Sequence, residues 1–282
     1  MTSKPVVNPW RRKLPWPVAI CVGLFMVADL LLIGGPWFLD HKRLVIAMAV
    51  PISQCSLAAV WAATSRASLY LRFAVPLLAT IGSWYVLTRI LPWGTGEPAS
   101  ASWTIVFATQ TLAIVLTVNL YERVRNLRQQ RVWRDGSEAS DSVSPLAFDL
   151  RTLMLWTTVI AFAFGFIQFA RAKWQWTFSI ADWEFWQAMP VIGVFDAALA
   201  LCWLWALTSA SWRRRIAKIF AVMLLVVLLG CSLPPVVAWV VGVKAMETSE
   251  SLVFTAAQSI LIAGSLAFVA FAARRTACKN RF

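Results

Sequence analysis

Residues 122–151, ERVRNLRQQRVWRDGSEASDSVSPLAFDLR, form the only long polar stretch of the chain. This stretch separates four apolar runs before it from four after it. Each run has about 20 residues, the length that a helix needs to cross roughly 30 Å of hydrocarbon. Because a backbone in lipid must satisfy its own hydrogen bonds, such unbroken runs indicate helices rather than barrel strands. We therefore predict an all-α integral membrane protein, a bundle of about eight transmembrane helices.

The composition agrees with this fold class. Hydrophobic residues make up 60% of the chain and charged residues 14%, with a net charge of +13. In a soluble protein this charge would indicate nucleic-acid binding. Here the basic residues lie between apolar runs, where membrane topology accounts for them, so no nucleic-acid partner is predicted. The predicted partners are the lipid bilayer and a membrane partner protein.

Metal and cofactor sites are not indicated. The five cysteines show no paired spacing, and His41 is the single histidine. Thiolate and histidine metal sites need several such ligands close together. We therefore predict no metal, no cofactor and no disulfide framework.

Eight spans follow from the limits of the apolar runs, with Gly and Pro clusters marking turns between them. The predicted spans are residues 18–38, 44–64, 73–91, 102–121, 152–170, 189–210, 216–243 and 252–273. Apolar residues continue at helical spacing after the fourth span. This spacing predicts that a basic helix extends to about Arg134.

The predicted organisation has two membrane halves. Residues 1–121 form a first four-helix half, residues 122–151 a basic cytoplasmic connector, and residues 152–282 a second four-helix half. Residues 174–187, WQWTFSIADWEFWQ, contain four tryptophans. Indole rings are favoured at the membrane surface, so this segment is predicted to lie there as a short helix.

The distribution of basic residues predicts the orientation. With an inner amino terminus and eight spans, 20 of the 26 Lys and Arg residues fall on the inner side; the outer six are Lys42, Arg43, Arg89, Arg171, Lys173 and Lys244. Cytoplasmic loops carry such an excess of positive charge. We therefore predict a multi-pass protein of a bacterial inner (cytoplasmic) membrane with both termini in the cytoplasm.

One short segment carries a family resemblance. Residues 148–158, FDLRTLMLWTT, resemble a segment of planctomycete multi-pass membrane proteins in which Phe-Ser-Leu-Arg-Thr-Leu-Leu precedes a span with Thr-Thr. Asp149 stands where that segment has Ser, and either residue can cap a helix start. The resemblance implies a membrane protein of that type, and it implies no activity and no functional residue.

Two carboxylates in the middle of predicted spans are the main candidate site residues. A charge at mid-bilayer costs about 2.5–3.5 kcal/mol, so Asp29 and Asp196 are expected to face the bundle interior or water. In the functional interpretation, they bind a proton or cation along a solute path. In the structural interpretation, each is protonated or is hydrogen-bonded to a hydroxyl or amide group on a neighbouring span. The polar side chains available as partners are Gln54, Gln110 and Gln258.

A candidate helix break lies in the seventh span. Proline removes a backbone donor and clashes with the preceding turn, so Pro234-Pro235 is expected to interrupt that helix. Broken helices form substrate sites in some transporters, although kinks also occur in spans that bind nothing.

Three functions remain open. The first is a non-enzymatic subunit or scaffold of the membrane. The second is a small-solute or ion transporter that uses Asp29 and Asp196, and the third is a membrane-embedded enzyme acting on lipid. No catalytic residues are predicted, because the chain has no P-loop and no HExxH motif. The residues preceding the two aspartates, Ala28 and Phe195, differ from the Tyr and Gly of intramembrane aspartyl proteases.

The connector provides a test of the predicted topology. Replacing its arginines with Gln should weaken the orientation preference, because inner loops are retained by positive charge. The four replaced residues are Arg123, Arg125, Arg128 and Arg131. Cysteine accessibility measured from both sides of the membrane gives the readout, and an unchanged map would contradict the role assigned to the connector.

Overall fold

The computed structural model describes residues 16–35, 41–65, 67–91, 97–134, 183–208, 211–241 and 247–279. These residues form seven α-helices and no β-strand. The helices are α1 (Trp16–Gly34), α2 (His41–Thr64), α3 (Leu69–Ile90), α4 (Glu97–Arg134), α5 (Trp183–Leu207), α6 (Trp212–Val241) and α7 (Thr248–Lys279). The predicted all-α class is confirmed for this part of the chain.

Six of the described helices, α2 to α7, are long and apolar enough to cross a membrane. The apolar part of α1, Val18–Gly34, is shorter. Six of the predicted spans therefore correspond to α2–α7, with limits that shift by a few residues. The predicted fifth span, 152–170, lies outside the described residues, so the count of eight remains a prediction.

Helix α2 is the centre of the bundle. It packs against α1, α3, α4, α5 and α7. Of its apolar stretch, 61% is buried within the protein, against 22% to 39% for the other five spans. Small residues allow these neighbours to approach the α2 backbone, as expected for helix packing in membranes; the buried alanines are Ala47, Ala49, Ala59, Ala62 and Ala63.

Buried apolar residues form two layers at opposite ends of the bundle, and each layer is named for the end of α2 at which it lies. The carboxyl-end layer joins the second halves of α2, α4, α5 and α7 to the first half of α6, through residues such as Ala59, Ile114, Ala200, Val226 and Ile262. The amino-end layer joins the opposite halves, through residues such as Leu44, Leu87, Phe107, Met189, Val237 and Phe254. It follows that α2, α4, α5 and α7 run in one direction, whereas α1, α3 and α6 run in the other.

The fourth helix is longer than a membrane requires. It has 38 residues, and at a rise of 1.5 Å per residue it spans about 57 Å. It ends at Arg134, so the predicted basic extension of the fourth span is confirmed as helical.

Helix α5 begins inside the predicted surface segment. It starts at Trp183 and continues without interruption to Leu207. Residues 183–187 of the predicted segment therefore belong to the spanning helix, and residues 174–182 lie outside the described part of the chain.

The expected break at Pro234-Pro235 is wrong. Helix α6 is assigned continuously from Trp212 to Val241, with both prolines inside it. In a membrane bundle, neighbouring helices and hydroxyl side chains compensate for the hydrogen bonds that proline removes. Here the two prolines remove the backbone donors to Gly230 O and Cys231 O, and the Ser232 hydroxyl, which donates to Leu229 O at 3.2 Å, replaces neither bond.

Helices α4 and α5 touch at a glycine. A Cβ at Gly193 would lie 2.6 Å from Val106 O and 3.1 Å from Gln110 N. Glycine therefore permits backbone contact between the two helices at this position, as small residues do in membrane bundles.

Substitution of Gly193 by Ala should destabilise the bundle, because the added Cβ would meet the backbone of α4. Overpacking of this kind costs about 1–3 kcal/mol. Gly264→Ala is the matched control, since nothing lies within 4 Å of the Cβ position on that residue of α7. Thermal unfolding in detergent should show a lower midpoint for Gly193→Ala only; equal midpoints for the two variants would refute the close contact.

Candidate functional site

A polar layer separates the two apolar layers. It contains side chains from six helices: Asp29 of α1, Gln54 and Ser56 of α2, Ser83 of α3, Gln110 of α4, Asp196 of α5 and Gln258 of α7. On α4, for example, Gln110 lies between Phe107 of the amino-end layer and Ile114 of the carboxyl-end layer. All five predicted polar site residues belong to this layer.

Asp29 binds Gln54 directly. The Gln54 Nε2 donates a hydrogen bond of 2.7 Å to Asp29 Oδ1, which joins α1 to α2. The Ser83 hydroxyl of α3 donates to Pro51 O at 2.9 Å and also lies 3.5 Å from Gln54 Oε1. Both Asp29 and Gln54 are partly buried, whereas Ser83 is fully buried. This group joins the first three helices through hydrogen bonds that are made within the protein.

Gln110 ties α4 to the same turn of α2. Its Nε2 donates to Ile52 O at 3.1 Å and to the Ser56 hydroxyl. The side chain is completely buried, and its Oε1 makes no hydrogen bond within the described part of the protein. The amide is thus held by its nitrogen, and one acceptor remains available.

Asp196 and Gln258 form the least satisfied part of the layer. Asp196 is 3% exposed and Gln258 is completely buried, and the amide of Gln258 lies beside the Asp196 carboxyl group. The two groups are adjacent without a well-formed hydrogen bond between them, since Asp196 Oδ2 and both polar atoms of Gln258 lack a hydrogen-bond partner among the described residues. Buried polar side-chain atoms nearly always have a partner. Three unpartnered atoms side by side are therefore suited to holding a ligand.

Both aspartates lie on helices that pack against α2, Asp29 on α1 and Asp196 on α5. They have different partners, because Gln54 of α2 binds Asp29 and Gln258 of α7 neighbours Asp196.

One predicted feature, the expected helix break, lies away from this layer. The prolines of the expected break lie on α6, which contributes no side chain to the polar layer as defined above; Pro234 is buried and Pro235 exposed. Among the described residues, no three His, Cys, Asp or Glu side chains come together as metal ligands.

Sequence reasoning missed Ser56 and Ser83. Both hydroxyls are completely buried and bond to other polar-layer residues or to the α2 backbone. Serine is common in membrane spans, so its position alone does not single it out. The sequence feature that could have identified them is their position near the middle of a span, at the same depth as the predicted partners Gln54 and Gln110.

Comparisons with known proteins give no relative for this arrangement. No protein-family model, no curated protein and no solved structure matches the chain. Residues 148–158, which carry the resemblance to planctomycete proteins, lie outside the described residues, so that resemblance remains a prediction.

Exchanges of Asp29 should distinguish its hydrogen bond from its charge. Asp29→Leu leaves the Gln54 amide without its acceptor, which costs about 1–3 kcal/mol. Asp29→Asn retains an acceptor oxygen and should keep most of the stability. Thermal unfolding in detergent measures both variants. Equal losses for Leu and Asn would mean that the carboxylate charge, and not the hydrogen bond to Gln54, attaches α1.

Proposed function

We propose that the protein is a membrane transporter that binds a proton or a small monovalent cation between Asp196 and Gln258. The observation that carries this proposal is the set of three unpartnered polar atoms on these two buried side chains. Burying polar groups without partners is costly, and a carboxylate within a membrane requires a compensating charge or a proton.

The ligand class follows from the charges of the pair. One carboxylate and one neutral amide provide a single negative charge. A proton or a monovalent cation neutralises this charge, whereas a divalent cation would leave an excess positive charge in the membrane core, which is unfavourable. An anion would meet the like charge of Asp196.

The two apolar layers support an enclosed binding site. Phe254 of the amino-end layer and Ile262 of the carboxyl-end layer flank Gln258 on α7. A ligand at this depth is separated from both membrane surfaces by packed apolar residues. Transport therefore requires one layer to open at a time, as in alternating access.

Asp29 has a different role in this proposal. Its carboxylate already accepts a hydrogen bond from Gln54, and it is less buried than Asp196. We assign it to the attachment of α1 rather than to ligand binding.

The proposed topology has eight spans in a bacterial inner membrane, with both termini in the cytoplasm. Its support is the parallel course of α4 and α5, whose second halves share the carboxyl-end layer. A chain that ends two successive spans at the same surface has to recross the membrane between them. The apolar run at residues 152–170 is long enough for that crossing, and the basic residues favour the carboxyl-end side as the cytoplasmic side.

A subunit or scaffold role is the second candidate. Its support is that much of the polar layer is bonded internally, by Gln54 to Asp29 and by Gln110 to α2. Internal polar bonds of this kind can specify how membrane helices pack without any ligand.

Ion flux into proteoliposomes tests the transporter proposal. We expect the protein to carry protons, detected by a trapped pH dye, or radioactive sodium or potassium, above the level of protein-free vesicles. Asp196→Asn removes the charge that binds the cation and should reduce this flux to the background level. Asp29→Asn, the same exchange in the same polar layer, should retain the flux.

Two outcomes would overturn the proposal. The first is wild-type protein that carries none of the three cations, which leaves the subunit or scaffold role. The second is an Asp196→Asn variant that carries them at the wild-type rate. Unfolding midpoints of both variants show whether a loss of flux reflects loss of the fold.

A further inference from the structure

A cluster of basic and aromatic side chains lies where α5 ends and α6 begins. This basic–aromatic patch consists of Trp205, Trp212, Arg213, Arg214 and Lys218. Trp205 is 48% exposed and Trp212 is 69% exposed, and Arg213 and Arg214 are exposed as well. The patch belongs to the end of the bundle that contains the carboxyl-end layer.

Lys218 is held in place against Trp205. Its Nζ lies 4.0 Å from the centre of the Trp205 ring and donates to Trp205 O at 3.4 Å. Cations are attracted to the face of an indole ring. Arg214 precedes Lys218 by four residues and therefore lies on the same side of α6. Two positive charges thus stand one helical turn apart, beside an exposed indole.

No acidic residue of α6, or of the connection that leads into it, neutralises this charge. The chain has no Asp or Glu between residues 197 and 246. The two spans therefore bring only positive charge to this end, which lies at the depth of the lipid headgroups when α5 and α6 cross a membrane. Tryptophan is enriched at this depth because its ring is apolar and its N–H is polar.

We infer that the basic–aromatic patch binds the headgroup of an anionic phospholipid such as phosphatidylglycerol. The phosphate is attracted by Arg213, Arg214 and Lys218, while the exposed rings of Trp205 and Trp212 contact the glycerol and upper acyl region. The rings favour a lipid over free phosphate, which has no apolar part to contact them. Lipid binding at the patch requires neither transport nor a particular number of spans.

Native mass spectrometry of the purified protein tests the inference. The protein is released from detergent micelles that contain equal amounts of phosphatidylglycerol and phosphatidylcholine. We expect preferential retention of phosphatidylglycerol by the wild type. Neutralising the patch in Arg213→Gln/Arg214→Gln/Lys218→Gln should abolish the preference, with about a fivefold loss of affinity for each charge removed.

The opposite end of the bundle offers a matched control. Arg89 lies over the ring of Tyr85 at 5.2 Å, near the end of α3. Arg89→Gln removes a basic residue that also contacts an aromatic ring, but outside the patch, and should leave the preference intact. The charge-conserving Arg213→Lys/Arg214→Lys variant should also retain it.

Several outcomes would overturn the inference. Equal retention of the two lipids by the wild type would do so, as would an unchanged preference in the triple variant. If the triple variant does not fold, Lys218→Gln alone has to show a loss of about fivefold, and the absence of this loss is equally decisive. Displacement of the bound lipid by millimolar inorganic phosphate would identify a phosphate site instead.

Discussion

The structure depends on one constraint: polar groups buried at the middle of a membrane bundle have to find their partners inside that bundle. Helix α2 supplies many of the hydrogen-bonding groups that these buried polar side chains need. Its backbone carbonyls at Pro51 and Ile52 accept hydrogen bonds from Ser83 and Gln110, and its Gln54 side chain binds Asp29. These bonds recruit α1, α3 and α4 to a single turn, and the small side chains of α2 let the helices come close. Among the described spans, the most buried helix is therefore also the one that makes these hydrogen bonds to α1, α3 and α4.

The two aspartates show how the same residue type serves two purposes. Asp29 is partly buried and accepts a hydrogen bond from an amide of α2. Asp196 is almost completely buried, and its neighbouring amide forms no well-formed hydrogen bond with it. An amide that already bonds a carboxylate stabilises the helix pair and has little capacity left for a ligand. A pair without a well-formed hydrogen bond retains that capacity at the expense of stability, which is why Asp196 and Gln258 are the better candidate for a binding site.

The sequence predicts the helices well because hydrocarbon thickness sets the length of an apolar run. The limits of α2 and α3 and the extension of α4 to Arg134 follow from local composition. The polar layer could be predicted in part, since Asp29, Gln54 and Gln110 stand out among apolar neighbours, whereas their pairing depends on which helices pack together. The expected break at Pro234-Pro235 was wrong for a related reason. The local sequence predicts which backbone hydrogen bonds proline removes. Whether the helix continues depends on its packing against neighbouring helices, which the local sequence does not show.

The packing also limits how the bundle could open. Transporters with two repeated halves commonly rock one half against the other. Here α2 and α4 pack directly against α5, and α2 also packs against α7, so helices from both sides of the central connector share one core. Separating them would expose the polar layer and disrupt the carboxyl-end layer together. Helix α1, by contrast, packs against α2, α3 and α7 through limited contacts, and α6 is the least buried of the spans in the described residues. An opening that reaches Asp196 has to separate the two apolar layers around it, and α6, the least buried of the described spans, contributes Val226 and Val237 to these layers.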